Sequence, residues 1–287
     1  MSRKVIEHIE ARPASDGDGV KLFRVFGGQQ PRRFDPFLMM DEFGSDSADD
    51  YIGGFPPHPH RGFCTITYML QGKMEHRDHM NNVGLLQDGD VQWMAAGRGV
   101  IHSEMPQQTE GLMRGFQIWL NLPASHKMMP ANYEDIAAAK IPVYTLENIT
   151  VKAIAGNASV NTQKVEGYIQ ETHSFPVFLD IHVSAGGTAT VTLPEGHNAM
   201  LYIYDGALNL GEENIPAQKK ILSRFSEEGS VNIHNSSNDI ARCILLAGKA
   251  FNEPVAQYGP FVMNTPEEIN QAIEDFRSGN FIEDAQQ

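Results

Sequence analysis

Two short stretches decide the fold: GFPPHPHRGF over residues 54–63 and GRGVIHSE over residues 97–104. Each contains turn-forming glycines and a pair of polar side chains two residues apart. The pairs are His58 with His60 and His102 with Glu104. Residues i and i+2 of a strand project from the same face of a sheet. If the two stretches form neighbouring strands, three imidazoles and one carboxylate converge on one point.

Such a group of side chains suits a metal. Three neutral imidazoles with one carboxylate favour Fe, Mn, Co, Ni, Cu or Zn over Ca²⁺ or Mg²⁺. Four protein ligands on one side leave positions open for water, oxygen or a bidentate substrate. A single H-x-H pattern is more often an ordinary pair of strand residues with local hydrogen bonds. Because a second pair accompanies the first, the sequence favours the metal site.

Composition narrows the class of protein. The chain has 287 residues, 41% of them hydrophobic, and a net charge of −14 from 22 basic and 36 acidic side chains. The length predicts one large domain or two ordinary ones, and no Lys/Arg cluster is present that would bind nucleic acid directly. Two cysteines make no disulfide framework. With neither a signal-peptide pattern nor an apolar run of about 20 residues, we expect a soluble cytoplasmic protein, or a nuclear one in a eukaryote, with no membrane association.

Most of the chain alternates short strand-like runs with turn residues, which is typical of an all-β fold rather than of βαβ units. The predicted strands are 63–70, 83–86, 91–94, 112–120, 177–183, 188–193, 200–204 and 240–247. A looser stretch at 123–140, with a short helix predicted over YEDIAAAK (133–140), separates two halves of similar texture. We therefore place two domains at 1–130 and 131–287.

The clearest helix signal lies near the C-terminus. Thr265-Pro266-Glu267-Glu268 is a capping box with proline at the first helical position. Gly279 predicts the end of this helix. The apolar side chains on one face are Ile269, Ala272, Ile273 and Phe276. This amphipathic helix is expected to pack on the β scaffold and to have no catalytic role.

The order H-x-H, strand, Gly72 and then Gly99-x-x-His102 resembles the two-part motif of the cupin superfamily. One departure stands out. The glutamate that usually follows H-x-H is missing, because Cys64 and Thr65 occupy that stretch, and Glu104 can supply the carboxylate instead. With FGGQQPRRFDPFLMMDEFG, FPPHPHRGF, GDVQWMAAGRGVIHSEMP and GFQIWLNLP, the chain is similar to the pirin family over essentially its whole length.

The resemblance implies a bicupin: two cupin-type, jelly-roll-like β-barrels placed face to face, with a few short helices and a metal only in the N-terminal barrel. It gives one divalent metal per chain, with Fe(II) favoured and Mn, Ni, Co, Cu or Zn left open. The implied ligands are His58, His60, His102 and Glu104.

The second half supports a metal-free C-terminal barrel. Its stretch YIYDG (202–206) resembles YMLQG (68–72) in the first half. Counting back from Gly206 by the offset that separates the two histidines from Gly72 reaches Pro194 and Thr192, neither of which replaces an imidazole.

The resemblance also implies quercetin 2,3-dioxygenase activity, the opening of a flavonol ring with O₂. A metal lowers the pKa of the flavonol hydroxyl, and Glu104 either accepts that proton as a general base or serves only as a ligand. Residues expected to line the substrate pocket are Phe55, Arg61, Phe63, Trp93 and Phe116, although strand aromatics are more often core and such an arginine more often forms an ion pair. His76 and His79 are expected at the pocket mouth, not as ligands.

Two other function classes stay open. Pirins in some organisms are reported as non-enzymatic, iron-dependent regulators that act through protein partners, as transcriptional co-regulators or modulators of metabolic enzymes. Alternatively, the metal is structural and the barrel is a binding module. The expected partners are therefore a flavonol-like aromatic compound and O₂, or a second protein. Because the chain is acidic, we expect no direct binding to nucleic acid, and any effect on nucleic acid would require such a partner protein.

Overall fold

The computed structural model describes residues 1–27, 34–170, 173–174 and 176–282. Residues 28–33, inside the first of the motifs that resemble pirins, lie outside this part of the chain. The first half of the described chain forms short strands joined by turns, as its β-branched and turn residues predict. These strands are β1 (Val5–Glu10), β2 (Arg12–Asp16), β3 (Val20–Phe26), β4 (Phe37–Ser45), β5 (Phe55–His60), β6 (Phe63–Gln71), β7 (Met74–Asp78), β8 (Val83–Leu86), β9 (Val91–Ala95), β10 (Val100–Pro106), β11 (Met113–Asn121) and β12 (Asn132–Ile136).

The second half repeats this pattern and ends in a helix. Its strands are β13 (Val143–Leu146), β14 (Ile149–Ala155), β15 (Asn157–Val160), β16 (Gln163–Glu166), β17 (Val177–Val183), β18 (Thr188–Thr192), β19 (His197–Asp205), β20 (Ala207–Leu210), β21 (Ile215–Gln218), β22 (Ile221–Phe225), β23 (Val231–His234), β24 (Ala241–Lys249), β25 (Ala256–Tyr258) and β26 (Phe261–Met263). The helix α1 spans Pro266–Ser278. All eight predicted strands are present with ends within about three residues, and the all-β, cupin-type prediction is confirmed.

The short helix predicted over 133–140 is wrong. This stretch contains strand β12 and then a 3-10 turn at Ala138–Lys140. Strand β12 pairs with β9 along its whole length, from Asn132 opposite Ala95 to Ile136 opposite Val91. Ile136 is fully buried. Pairing with a neighbouring strand therefore overrides the local helix propensity of this segment.

Contacts divide the chain into two compact units. The first, here called the histidine unit, contains Arg12–Ala138 and the chain from Phe251 onward; the second, the aliphatic unit, contains Met1–Ala11 and Ala139–Ala250. The predicted ranges 1–130 and 131–287 differ from these units at both ends of the chain. Strand β1 pairs with β22 of the aliphatic unit. Local sequence identifies a strand, but it does not reveal which sheet edge the strand joins.

The described part of the histidine unit is built from two large antiparallel sheets and a two-stranded sheet of β25 and β26. The strand orders of the two large sheets are β12-β9-β6-β11-β4-β3-β2 and β5-β10-β7-β8. Apolar side chains from the two sheets meet in a common core. The seven-stranded sheet contributes Leu22, Phe43, Met69 and Met113, and the four-stranded sheet contributes Met74 and Leu86. Two sheets packed in this way form the layered architecture of a cupin-type fold.

The aliphatic unit repeats this design with orders β1-β22-β19-β24-β17-β14-β13 and β16-β15-β18-β23-β20-β21. Its core is a large cluster of buried Val, Ile, Leu and Ala side chains. Gly206 follows the long strand β19 as Gly72 follows β6, and both adopt positive φ, 76° and 106°. The corresponding Thr192 is exposed at the end of β18. A metal-free second barrel stays a prediction.

The C-terminal segment, residues 251–282, belongs to the histidine unit. Helix α1 has the predicted capping box between Thr265 and Glu268, and it ends at Gly279 with φ 82°. Its buried residues Ile269 and Ala272 pack with side chains outside the helix. These partners are Phe261, Met263 and Phe281. The amphipathic face thus packs on a β scaffold as predicted.

The turn after His60 is joined closely to this segment. Gly62 has φ 91°, and a Cβ atom there would overlap the carbonyl oxygen of Val262. Lys127, 1% exposed, donates hydrogen bonds to the carbonyls of Gly62 (2.8 Å) and Val262 (3.0 Å) and to Oδ1 of Asn121 (2.6 Å). Burial lowers the pKa of Lys127 to about 8. Residues far apart in sequence therefore meet directly behind the first histidine pair.

Neither cysteine forms a disulfide. Cys64 and Cys243 are both free and buried. Burial raises the pKa of the Cys64 thiol to about 12, which keeps it protonated and unreactive. In the described part of the chain, no helix has both the length and the apolar character needed to cross a bilayer.

Candidate metal centre

The two histidine-bearing strands, β5 and β10, lie side by side. They pair antiparallel with His102 opposite His58 and Val100 opposite His60, and the register shifts between His102 and Glu104. Strand β5 forms one edge of the four-stranded sheet. This position suits its sequence FPPHPH, because proline has no N–H to donate to a second neighbouring strand. The prolines thus place the first histidine pair at an open sheet edge.

The three imidazoles converge as the sequence predicts. One nitrogen from each of His58, His60 and His102 lies within 4.8 Å of the others. The ring centroids of His58 and His102 are 4.4 Å apart. His60 and His102 are only 3% and 1% exposed, and His58 is half-buried. We call these three residues the histidine cluster.

Hydrogen bonds to the outer nitrogens orient the cluster. Nδ1 of His58 lies 2.8 Å from the carbonyl oxygen of Pro56, so it carries a proton and leaves Nε2 with a lone pair. Nδ1 of His102 lies 2.9 Å from Nε2 of His76. Nε2 of His102 is buried, with no hydrogen-bond partner among the described residues. His58 and His102 therefore each have Nδ1 engaged in a hydrogen bond, which leaves Nε2 available toward the neighbouring rings.

The spacing within the cluster fits a metal ion. Nε2 of His58 and Nε2 of His60 are 3.0 Å apart. Two nitrogens that bind one ion at about 2.1 Å and at roughly a right angle are separated by about 3 Å. A buried imidazole nitrogen without a hydrogen-bond partner costs folding free energy unless something binds it. The donor set and its spacing therefore fit a divalent transition metal.

Burial keeps His60 and His102 in their neutral form near pH 7. Burial lowers the pKa of His60 well below its usual range, and neighbouring His58 lowers it further. Burial likewise lowers the pKa of His102, with further contributions from His60, His58 and His76. Metal binding requires the neutral imidazole. The folded unit thus holds two of the three rings in the form that binds a metal.

These shifts predict that acid destabilises the metal-free protein. As pH falls through about 6.5, the unfolded chain takes up protons on His60 and His102, whereas the folded unit does so only at much lower pH. Each imidazole should lower the free energy of unfolding by up to about 1.4 kcal/mol per pH unit below that point. Both tryptophans, Trp93 and Trp119, belong to the histidine unit. Urea unfolding followed by tryptophan fluorescence in a chelator, from pH 8 to pH 5, measures this slope.

A His102→Asn variant is the control for this measurement, because it removes one of the two titrating rings and should show a shallower slope. Stability that stays constant or rises between pH 7 and pH 5.5 in the unmodified protein would contradict the prediction.

Glu104 lies beside the histidine cluster but outside the group of mutually close nitrogens. It is 3% exposed. Its carboxylate accepts a hydrogen bond from Nε2 of Gln117 at 3.2 Å and lies 3.0 Å from the hydroxyl of Thr67. It lines the same cavity as His58 and His60. The carboxylate is therefore held by neutral donors at the edge of the cluster, and its role as a ligand stays a prediction.

A cavity of about 880 Å³ opens onto the cluster. Its apolar walls include Leu22, Met39, Phe43, Phe55 and Trp119. A volume of roughly 300–1,000 Å³ with apolar walls and a few polar groups is typical of small-molecule sites.

The polar lining of this cavity comes largely from outside the two histidine segments. Arg24 donates hydrogen bonds to both carboxylate oxygens of Asp41, at 2.9 and 2.8 Å. Gln257 and Pro260 reach the cavity from the C-terminal segment. Elements far apart in sequence therefore build one pocket.

The five predicted pocket residues lie in different places, and their role in substrate binding stays a prediction. Phe55 lines it, whereas Arg61, Phe63, Trp93 and Phe116 are not among the described residues that do. Phe116 precedes Gln117 on β11, so it projects from the opposite face and stacks with Tyr68.

The other three have different positions. Trp93 pairs with Ile66, which shares the face of Phe116. Phe63 is fully buried beside the ring of His60. Arg61 donates a hydrogen bond to Asp275 of helix α1 at 2.6 Å. Alternation along the strands explains the positions of Phe116 and Trp93. The ion pair with helix α1 explains the position of Arg61.

His76 is the main residue whose position the sequence prediction missed. It lies in strand β7, fully buried, and contacts His102, whereas a loop or strand end at the pocket mouth was expected. A signal was present, since Met74, His76 and Asp78 alternate with charged residues at the period of a strand. His79, next along the chain, accepts a hydrogen bond from the backbone N–H of Ile101 at 3.3 Å.

Comparisons with known proteins identify the family of the chain. The sequence profile described as Pirin matches residues 19–120, and the profile described as Pirin C-terminal cupin domain matches residues 178–282. The chain belongs to the pirin family. One pirin-family relative is human pirin, 38% identical over 282 residues, with 96% of this chain and 93% of the human protein covered.

Two further family members carry enzyme names. A Pseudomonas aeruginosa protein provisionally named quercetin 2,3-dioxygenase is 49% identical over 279 residues, covering 96% of this chain and 97% of that protein. The crystal structure of a quercetin 2,3-dioxygenase from Acinetobacter baumannii has a TM-score of 0.88 at 32% identity, covering 98% of this chain and 99% of that one. The fold described above is thus shared with the Acinetobacter protein over almost the whole chain.

Proposed function

We propose that the chain is a metal-dependent dioxygenase that opens the ring of flavonols such as quercetin with O₂. The observation that carries this proposal is the cluster of His58, His60 and His102 at an apolar cavity of about 880 Å³. The names of the relatives at 49% and 32% identity point to the same reaction. A dioxygenase adds both atoms of O₂ to its substrate, so the site must admit O₂ and exclude competing water.

The metal would be held by the histidine cluster, with Glu104 as a further candidate ligand. Fe(II) is the first candidate, and Mn, Ni, Co, Cu and Zn suit the same donors. A divalent metal held there supplies Lewis acidity, which lowers the pKa of a hydroxyl that reaches it.

Glu104 is proposed to accept the proton of the flavonol hydroxyl. Its carboxylate faces the cavity beside His58 and His60. Gln117 fixes its orientation through the amide hydrogen bond at 3.2 Å. A carboxylate held by neutral donors keeps a lone pair available for the proton, which is the requirement for a general base.

The apolar walls are proposed to bind the aromatic rings of the substrate. Phe55 and Phe43 offer aromatic and hydrophobic contact, and Trp119 lines the cavity beside the ring of His60, with ring centroids 5.3 Å apart. Burial of a flat aromatic ligand against these side chains also removes water from the reacting centre.

The test is metal-dependent consumption of quercetin. The protein is stripped with a chelator, loaded anaerobically with Fe(II), Mn(II), Ni(II), Co(II) or Cu(II), and mixed with quercetin and O₂. With at least one metal, we expect quercetin, followed by its absorbance, and dissolved O₂ to be consumed in equal molar amounts. The stripped protein should be inactive. If none of these metals supports consumption above the rate of the free ion, the dioxygenase proposal fails.

A further inference from the structure

His76 is a fully buried histidine that the proposed reaction does not use. It lies on strand β7 opposite Glu104 of β10, and two positions along the same strand pair Asp78 lies opposite His102. Its side chain is 0% exposed. Nδ1 of His76 is buried and has no hydrogen-bond partner among the described residues. A polar ring in such a place is costly, so its position calls for a physical reason.

The one hydrogen bond of this ring goes to the histidine cluster. Nε2 of His76 lies 2.9 Å from Nδ1 of His102, and the two ring centroids are 5.0 Å apart. The ring of Tyr133, from strand β12, packs on His76 with centroids 5.3 Å apart. Strand pairing, burial and this aromatic contact together leave the imidazole of His76 little freedom to turn away from His102.

We propose that His76 is a positioning residue for His102: it accepts the Nδ1–H hydrogen of His102 and thereby leaves Nε2 of His102 free to bind the metal. This inference rests on the proposed metal centre. In a neutral imidazole only one nitrogen carries hydrogen, and the hydrogen bond made by that nitrogen decides the tautomer. Metal-binding histidines usually donate their other N–H to a fixed acceptor.

The hydrogen bonds at Nδ1 of His58 and at Nδ1 of His102 therefore have the same effect, which is to leave Nε2 available to a metal. Nδ1 of His58 donates to a backbone carbonyl, whereas Nδ1 of His102 donates to a neutral side chain. Unlike a carboxylate, a neutral imidazole adds no negative charge to its partner. His76 thus orients His102 and raises its basicity less than a carboxylate would, which preserves more of the Lewis acidity of a metal bound there.

The experiment compares His76→Leu with His76→Gln. The side-chain oxygen of glutamine can take the place of Nε2 as an acceptor, and leucine cannot. Affinity for Ni(II) and Zn(II) is measured by chelator competition. We expect the leucine variant to bind each metal about 10- to 100-fold more weakly and the glutamine variant to recover most of that loss. His79→Gln is the matched control, since His79 also contacts strand β10 but does not touch the cluster.

A second readout observes the tautomer directly in the metal-free protein. Free histidine favours hydrogen on Nε2, and the hydrogen bond to His76 is proposed to reverse this preference. The ¹⁵N spectra of the imidazoles should therefore show hydrogen on Nδ1 of His102 in the unmodified protein. They should show it on Nε2 in His76→Leu. Hydrogen on Nε2 of His102 in the unmodified, metal-free protein would make His76 the donor and overturn the inference, even if the leucine variant fails to fold.

The outcomes separate this inference from the proposed function. If the unmodified protein binds neither metal, the metal centre itself is refuted. If it binds them and a folded His76→Leu variant binds them equally well, only the positioning role fails. Equal losses in the leucine and glutamine variants also refute that role, because they would show a packing effect and not the loss of an acceptor.

Discussion

Glu104→Gln is expected to lower kcat for quercetin consumption by about 100- to 10,000-fold, because an amide cannot accept the proton of the substrate hydroxyl. Glutamine has nearly the same shape, so its contacts with Gln117 and Thr67 should keep the side chain in place. The measurement is kcat at saturating metal and saturating quercetin, with metal content determined in the same samples.

The metal dependence of this variant separates the two roles that the sequence leaves open for Glu104. A pure ligand role predicts weaker metal binding and full activity once metal is in excess. A proton-accepting role predicts low activity at every metal concentration. Glu75→Gln is the matched control, since Glu75 lies on the neighbouring strand and pairs with the exposed Arg77. Full activity of Glu104→Gln without added metal would rule out both roles.

Arg61→Met should destabilise the histidine unit by roughly 3 kcal/mol, since it breaks an ion pair in which the arginine is almost fully buried. The Arg61 guanidinium donates hydrogen bonds to the carbonyl of Arg98 and to Asp275, and it lies 4.4 Å from the ring centroid of Phe281. Burial by itself would raise the pKa of Asp275, but the hydrogen bond from Arg61 holds it below its usual value. Urea unfolding followed by tryptophan fluorescence reports this unit alone.

An exposed ion pair supplies the control for that variant. Arg77 pairs with Glu75 at 2.6 Å and its side chain is 58% exposed, so Arg77→Met should cost less than about 1 kcal/mol. Asp275→Asn, alone and combined with Arg61→Met, completes a double-mutant cycle, and Glu274→Gln tests the neighbouring helix position. If Arg61→Met and Arg77→Met prove equally mild, the contact with α1 does not stabilise the unit.

Arg61 also follows directly after His60, so the same substitution should weaken metal binding at the histidine cluster. Loss of its contacts frees the turn that carries His60. We therefore expect weaker metal binding in Arg61→Met, measured by chelator competition as above, in addition to the lower stability.

Local patterns explain why the histidine cluster could be predicted from the sequence. His58 with His60, and His102 with Glu104, are two residues apart, and the period of a strand sends both members of a pair to one side. Glycines mark the turns next to both strands. No knowledge of distant contacts is needed for that step, apart from the pairing of β5 with β10.

Features that depend on distant contacts escaped prediction. The segment over 133–140 has residues typical of a helix, yet pairing with β9 makes half of it a strand. Phe116 and Trp93 are aromatic, as pocket residues often are, but the face on which each lies follows from strand register. Asp275, the partner of Arg61, is 214 residues away from it in the sequence, and no local pattern links the two.

The histidine unit is built from two separate segments of the chain, Arg12–Ala138 and the chain from Phe251 onward, and this affects the order of events during synthesis. His58 through Glu104 leave the ribosome well before Val262, Asp275 and Phe281, which contact the turn behind His60. While the intervening residues are being made, the nascent chain therefore carries its candidate ligands without the segment that fixes them. We expect firm metal binding only after this segment has been made, so a product truncated before Val262 would contain every histidine of the cluster and still lack a finished site.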